Sequence, residues 1–248
     1  MIDLHCHLLP GLDDGPQTHA ETLQLCRIAI VDGITHAIVT PHIHPGRWPN
    51  TKSGIALECR KLQRALNKRN LPLKLGFAAE VRLSDDLIAQ IDREEIPFYG
   101  KVDGYWVMLL EFPHGHIIPG SERLVRWLLR NKVRPLIAHP ERNKQVMRRV
   151  QEIYPYVEAG CWLQLTGGSI LGSFGERARE VAHQLLDDNL VAVVASDGHN
   201  SGPRKPQLSD AFDYVCEHYG DARADMLMQQ NPARITTSQF QQEAATVC

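Results

Sequence analysis

The chain has 248 residues, 43% of them hydrophobic, and a formal net charge of −2. That length supports a sizeable core without staples, and the near-neutral charge gives no electrostatic case for nucleic acid or an anionic membrane. No apolar run reaches the roughly 18 residues that a membrane helix needs, and no basic-then-apolar leader precedes the first strand pattern. A cytoplasmic location is therefore expected, with no membrane span and no nucleic-acid partner.

In chain order, β-rich runs fall at 2–6 (IDLHC), 35–40 (THAIVT), 73–79 (LKLGFAA), 104–111 (GYWVMLLE), 134–138 (RPLIA), 161–166 (CWLQLT) and 191–196 (VAVVAS). Helical spacing separates several of them. Ile55, Cys59, Leu62 and Leu66 share one face, as do Leu124, Val125, Leu128 and Leu129. Ala178, Val181, Ala182, Leu185 and Leu186 repeat at i, i+3, i+4, i+7 and i+8. Residues 208–230 read as closing helices and 231–248 as a tail. The glycine-rich "LTGGSILGSFG" reads as a flexible loop after the sixth run, with an anion cradle as the alternative. Cys6, Cys26, Cys59, Cys161, Cys216 and Cys248 form no CxxC pair and read as reduced core thiols.

Strands alternating with helices imply parallel pairing through crossovers. The strand ends choose between an open sheet and a barrel. His5 and His7 close the first run, His42 follows the second, Glu80 ends the third and Glu111 the fourth. His139 follows the fifth, and Asp197 and His199 follow the seventh; the sixth ends at Thr166 with no obvious ligand. Only a barrel brings all strand C-termini to one face. The expected fold is therefore α/β, a distorted, incomplete (β/α)7 TIM-like barrel, with residues 1–248 forming one domain.

On a strand, residues two apart share a side, so His5 and His7 project together and Cys6 turns away into packing. Taken alone, H-x-H also fits a structural pair, and Asp13-Asp14-Gly15 also fits a turn or helix cap. With Asp14 added, the candidate set is His5, His7, Asp14, His42, Glu80, Glu111, His139, Asp197 and His199. Five histidines and four carboxylates suit two or three ions, and imidazole with carboxylate and no thiolate points to Mn, Fe or Zn. Clustered cations lower the pKa of a shared water, making it a nucleophile, and neutralise an oxyanion. This is equipment for phosphoester hydrolysis. No C-x5-R, G-x-S-x-G or P-loop motif offers another route.

Arg142, in "HPERN", and Arg204, in "SDGHNSGPRKP", lie just beyond strand ends, where a guanidinium fork can take phosphate oxygens. Surface ion pairs are the alternative for both. Glu141 reads as an orienting partner of Arg142 or as a solvated charge. His44, Arg47, His114 and His116 fall in strand-following loops, as substrate contacts or plain exposed residues, with His44 a candidate acid. Met108 and Trp106 belong to a core strand; His19, His183 and His218 lie on helix faces.

"DLHCH", "TPH", Glu80, "AHPER" and "SDGHN" resemble the motifs of the PHP (polymerase and histidinol phosphatase) superfamily. "MIDLHCHLLPGLDDGP", "LLEF", "VVASDGHN" and the late "NPARI" are similar more closely to the bacterial manganese-dependent protein-tyrosine phosphatases of capsule and exopolysaccharide clusters. The resemblance implies a distorted seven-stranded barrel with three ions. One would be held by His5, His7, Glu80 and Asp197. A second would share Glu80 and use Glu111 and His139. A third would use Asp14, His42 and His199, with Arg142 and Arg204 on phosphate. It also implies Mn2+ as cofactor and, as partner, the phosphotyrosine tail of a bacterial tyrosine autokinase controlling polysaccharide export. The residues alone reach metal-dependent phosphoester hydrolysis. A small-molecule phosphatase, acting for instance on histidinol phosphate, shares that chemistry. Amidohydrolase chemistry also starts from H-x-H but often bridges its metals with a modified lysine, and no lysine ends a strand here. A non-catalytic metal-binding regulator would be expected to lose ligands. Nothing in the sequence fixes an oligomeric state.

Overall fold

The computed structural model describes residues 1–240. Its strands are β1 (Ile2–Cys6), β2 (His36–Val39), β3 (His42–His44), β4 (Trp48–Pro49), β5 (Lys74–Phe77), β6 (Glu80–Arg82), β7 (Gly100–Val102), β8 (Tyr105–Glu111), β9 (Val133–Ala138), β10 (Trp162–Thr166) and β11 (Val191–Ala195). Its helices are α1 (His19–Val31), α2 (Lys52–Lys68), α3 (Leu87–Asp92), α4 (Ser121–Arg130), α5 (Lys144–Arg148), α6 (Tyr154–Ala159), α7 (Gly167–Ile170), α8 (Glu176–Asp187), α9 (Ser209–Tyr219), α10 (Asp221–Asp225) and α11 (Asn231–Phe240). Local chemistry sets several boundaries. The T-x-x-E pattern at Thr18 and Glu21 makes a reciprocal capping box that starts α1.

All seven expected strands form, and two of them are followed at once by a second strand outside the expected runs. β3 follows β2 beyond the 35–40 run, and β6 follows β5 beyond the 73–79 run. β2 and β5 pair with β1 in a sheet ordered β1-β2-β5; β3 and β6 join a sheet ordered β11-β10-β9-β8-β6-β3-β4. His42 and Glu80 therefore open β3 and β6, rather than closing the runs before them, and stand opposite each other in parallel register. The sheets meet through Cys6, which bridges to Gly198, and through His7 N to Gly198 O at 2.8 Å and Asp197 N to His5 O at 2.7 Å. The result is a distorted α/β barrel of TIM-like type, joined at its carboxyl end by the first and last strands.

Alternation sorts the core. Leu4, Ile38, Val107, Leu109, Leu136, Ala138, Val193 and Ala195 pack together inside the barrel with Tyr99 and Ile235. Met108, Leu110, Ile137 and Val194, one residue out of phase, pack with the surrounding helices. Trp106, placed with the core by sequence, is 43% exposed, because it falls at the solvent end of β8, stacked on Phe98. Cys6, Cys26, Cys59 and Cys161 are free buried thiols, as expected; Cys216 lies half-buried on α9 instead, and Cys248 lies outside the described residues. His19, His183 and His218 lie on α1, α8 and α9.

Two segments depart from expectation. Residues 231–240 form α11, not tail; 241–248 lie outside the described residues. The apolar signal of α11 is weak because it buries only Pro232, Ile235 and Thr236. It packs against β1, β5, β7 and β11 at the end of the barrel opposite the strand C-termini. Gln239 there bonds Phe77 O (2.9 Å), Tyr99 O (3.0 Å) and Phe98 O (3.4 Å), and accepts from Phe77 N (3.4 Å). One side chain thus stands in for strand pairing between β5 and the segment entering β7. The glycine-rich loop is likewise ordered, with α7 followed by bonded turns, Gly172 N to Ser169 O at 3.1 Å and Ser173 N to Gly168 O at 2.8 Å.

Gln239→Ala leaves several backbone groups without these partners. A loss of about 2–3 kcal/mol is expected in urea unfolding, whereas Gln151→Ala, at an exposed position in the turn Val150–Ile153, is the control for a general effect of losing an amide.

Candidate metal centre

The nine sequence candidates converge on the carboxyl end of the barrel. His5, His7, Glu80 and Asp197 each offer a ligand atom, all within 4.8 Å of one another. His7, Asp14, His42 and His199 form a second such group, and His42, Glu80 and Glu111 a third. His139 Nε2 lies 2.7 Å from Glu80 Oε1, at the edge of the third group. Glu80 is thus the carboxylate that links the clusters.

Backbone geometry aims these groups. Leu4 belongs to the barrel interior, yet the next residue, His5, faces the site; strict alternation would send neighbours to opposite faces. The pairing of β1 with β2 shifts register between Asp3 and Cys6, the kind of irregularity that re-aims a side chain beside a site. His139 and Asp197 follow their strands in left-handed conformations, φ 33° and 51°. Such conformations are uncommon without glycine and mark functional constraint.

Outer partners fix the rings. His5 Nδ1 donates to Gln164 Oε1 at 2.9 Å, His7 Nδ1 to Asp13 Oδ2 at 2.7 Å and His199 Nδ1 to the Asp197 carbonyl at 2.9 Å. These acceptors place the proton on Nδ1 and leave each Nε2 lone pair facing inward. The Nε2 atoms of His5 and His7 are then 3.2 Å apart and lie 3.2–3.5 Å from Glu80 Oε2 and Asp197 Oδ1. His42 turns Nδ1 toward Glu80 at 3.1 Å and Nε2 toward Asp14 at 3.4 Å, stacked on Trp48 at 4.5 Å. His42 Nδ1, Asp197 Oδ1 and His199 Nε2 are buried without hydrogen-bond partners. Converging lone pairs and carboxylates, dry and unpartnered, repel one another unless cations sit among them. Their composition, imidazole and carboxylate without thiolate, suits first-row divalent ions.

Electrostatics follow the same division. Burial opposes ionisation of Glu80, but positive charge facing it, from His5 first and then His42 and His139, outweighs burial and holds its pKa well below the carboxylate range; with the rings neutral, that charge is the part a bound cation would supply. Burial, then the charge of Glu80, pushes Glu111 upward; Arg82 Nη1 pairs with it at 2.9 Å. Burial and the neighbouring His7 hold His199 down to about 4, so its ring is neutral.

Both candidate arginines reach the site, converging on one oxygen, Asp197 Oδ2: Arg204 Nη2 at 2.6 Å, and Arg142 Nη1 in closer contact. Arg142 is carried by the short 3-10 turn Pro140–Arg142. Glu141 is not solvated, and its charge helps to raise the pKa of that guanidinium although its hydrogen bond runs elsewhere. It is fully buried and accepts from Thr166 N at 3.0 Å, tying the turn to the end of β10. Arg47, His114 and His116 are exposed and His44 half-buried. Arg47 lies over Trp48 at 4.0 Å. Burial, then Arg82, lowers the pKa of His44, favouring a neutral ring with little acid character.

Sequence reasoning missed Asp13, Gln164 and Trp48, which touch ligand candidates from outside. Asp13 was visible only as half of a turn pair. Gln164 sits on the strand that carries no candidate ligand, and its in-facing position in "WLQLT" was the available signal.

Barrel and donor clusters together define a class, α/β-barrel proteins that carry a multinuclear metal-binding centre at the carboxyl ends of their strands. Within it, this chain belongs to the family described as capsular polysaccharide synthesis, CpsB/CapC, whose model matches residues 1–237. It is 31% identical to tyrosine-protein phosphatase YwqE of Bacillus subtilis over 227 residues, 92% of this chain and 88% of that protein. A solved chain from the crystal structures of YwqE from B. subtilis and CpsB from Streptococcus pneumoniae, described as unique metal-dependent tyrosine phosphatases, superposes with TM-score 0.89. It shares 30% identity and covers 96% of this chain and 95% of its own length. An amidohydrolase from Mycoplasma synoviae superposes with TM-score 0.60 at 14% identity, covering 95% of this chain and 87% of its own, a likeness of fold alone.

Two outcomes are expected. Asp13→Ala frees the His7 ring and weakens metal binding by about 10- to 100-fold in a competition titration with a chromophoric chelator. Stripping metal lowers the thermal midpoint of the wild type, and restoring it raises the midpoint again, because the cations bind the folded cluster.

Proposed function

We propose that this protein is a metal-dependent protein-tyrosine phosphatase, with the whole chain acting as one catalytic unit and Mn2+ as its cofactor. The proposed substrate is the phosphotyrosine tail of a bacterial tyrosine autokinase that controls capsule or exopolysaccharide synthesis, met in the cytoplasm. The observation that carries the reading is the convergence of Arg142 and Arg204 beside three clusters of metal-donor atoms. The family assignment and the phosphatase relatives support the same chemistry.

His5, His7, Glu80 and Asp197 would hold one ion; Glu80, Glu111 and His139 a second; Asp14, His42 and His199 a third. Bound cations supply Lewis acidity, lowering the pKa of a water and neutralising phosphate charge. The protein's own part is positional. Gln164 and Asp13 lock the His5 and His7 rings, and Glu141 anchors the turn bearing Arg142. The two guanidinium groups present N–H edges to the non-bridging phosphate oxygens, where charge builds in the transition state. Among the described residues, Cys6 is the cysteine on the site's own strand, and it is unsuited to be a nucleophile, since it is fully buried and burial pushes its pKa well up.

Shape favours a protein substrate. The cavity beside Glu111, His139 and Arg142 measures about 40 Å³, far below the ~300 Å³ at which pockets begin to enclose small molecules. A cavity of about 810 Å³ is lined instead by Phe77, Phe98, Trp106 and Gln239 at the barrel's other end. A crevice this small beside the donor clusters suits a substrate whose bulk stays outside it, as with a side chain held out on a flexible tail.

The test is phosphate release by metal-stripped protein with Mn2+ restored, on a phosphotyrosine peptide and on L-histidinol phosphate in parallel. Peptide hydrolysis is expected, lost on chelation and reduced more than about a hundredfold in His139→Ala and Arg204→Ala. Iodoacetamide is expected to leave it intact. Release from histidinol phosphate alone would overturn the substrate, and inhibition by alkylation would overturn the thiol-free mechanism.

A further inference from the structure

The two arginines share a third contact that the proposed chemistry does not use. Phe174 lies in the turn after α7, with its ring 4.3 Å from Arg142 Cζ and 5.9 Å from Arg204 Cζ. Both distances fall within the reach of a cation–π contact. Phe174 is half-buried, yet it belongs to neither hydrophobic cluster of the described residues. An aromatic ring set apart from the core and laid against two guanidinium groups is placed by something other than hydrophobic packing.

The surrounding glycines make that placement possible. A Cβ at Gly168 would stand 3.1 Å from Phe174 Cε2, so the ring lies closer over this glycine than a side chain there would ordinarily allow. Gly172 and Gly175 take φ of 85° and 93°, folding the turn back on itself, and Gly175 N bonds Gly172 O at 3.0 Å. In the "GGSILGSFG" run these glycines make room for, and turn the chain around, one aromatic side chain.

That placement answers an electrostatic difficulty. Two like charges converge on the single oxygen Asp197 Oδ2. A π face beside both offsets part of their repulsion and covers the flat side of Arg142, leaving the N–H edges free. Arg204 Nε is buried with no hydrogen-bond partner, a donor with capacity for an incoming oxygen.

We propose that Phe174 is a positioning residue that holds Arg142 and Arg204 together as a preformed clamp for the phosphate dianion. The proposal rests on the phosphatase reading above. It predicts that the ring acts on phosphate recognition and not on metal loading.

The experiment compares Phe174→Leu and Phe174→Tyr with the wild type as Mn2+-loaded full-length protein. Binding of inorganic phosphate is measured by calorimetry, KM and kcat on a phosphotyrosine peptide by phosphate release, and metal content by atomic emission. Leucine keeps apolar bulk and removes the π face; tyrosine keeps both. Phe174→Leu is expected to weaken phosphate binding and raise KM together by about three- to thirtyfold, with metal content unchanged and Phe174→Tyr close to wild type. Unchanged phosphate affinity in Phe174→Leu, or equal loss in the leucine and tyrosine variants, would overturn the role of the ring. A wild type that neither binds phosphate nor hydrolyses the peptide would instead overturn the phosphatase reading. A wild type that does both while Phe174→Leu matches it would remove this proposal alone.

Discussion

At the centre of this protein two imidazole nitrogens turn their lone pairs toward each other across 3.2 Å, with two carboxylate oxygens beside them and no solvent. A folded chain does not hold such a group unaided. Each member avoids the others, and each costs free energy to remove from water. The surrounding structure reads as the apparatus that prevents escape. Gln164 and Asp13 block rotation of the rings, and the Arg142–Asp197–Arg204 contacts fix the carboxylate that stands between the donor cluster and the two guanidinium groups.

The barrel is bent to the same purpose. An unbroken second and third strand would carry His42 and Glu80 past the end of the sheet along with their neighbours. The breaks after β2 and β5 let the chain change sheets and restart, so that these two residues face each other in register within reach of β1. The break costs pairing at the opposite end, where β5 separates from the rest. There Gln239 replaces the missing ladder from the side of α11. Distortion at one end and the helical plug at the other are two sides of one adjustment. β10, which offers no ligand, orients His5 through Gln164, anchors the Arg142 turn through Thr166 and leads into the loop that carries Phe174.

Much of this was legible in the residues. Apolar, β-rich runs marked the seven parallel strands within a residue or two, because strands buried on both faces read as continuous apolar stretches. Nine polar residues at their ends marked the face that carries the site. The breaks after β2 and β5 were not legible, since "TPH" and "AAE" carry no turn chemistry that separates a strand end from a strand restart. α11 was missed for a related reason. Its stabilising contact is Gln239 on exposed backbone of another element, and no periodicity records a hydrogen bond to a distant strand. Glu141 was left open between a partner of Arg142 and a solvated charge, because charged residues in loops are usually exposed; its buried contact is with Thr166, 25 positions away. Phe174 lay in a run whose glycines suggested flexibility, and only the close approach at Gly168 reveals that they make room.

The meeting of the first and last strands has a temporal meaning. His5 and His7 are made nearly two hundred residues before Asp197 and His199, with the Gly198 bridge that seats them. Contacts of such separation form late, since the intervening chain must first be drawn together. The group of His42, Glu80 and Glu111 can gather earlier, but the group of His5, His7, Glu80 and Asp197 waits for the last strand. Assembly of the buried donor atoms is thereby tied to the folding of every strand between them.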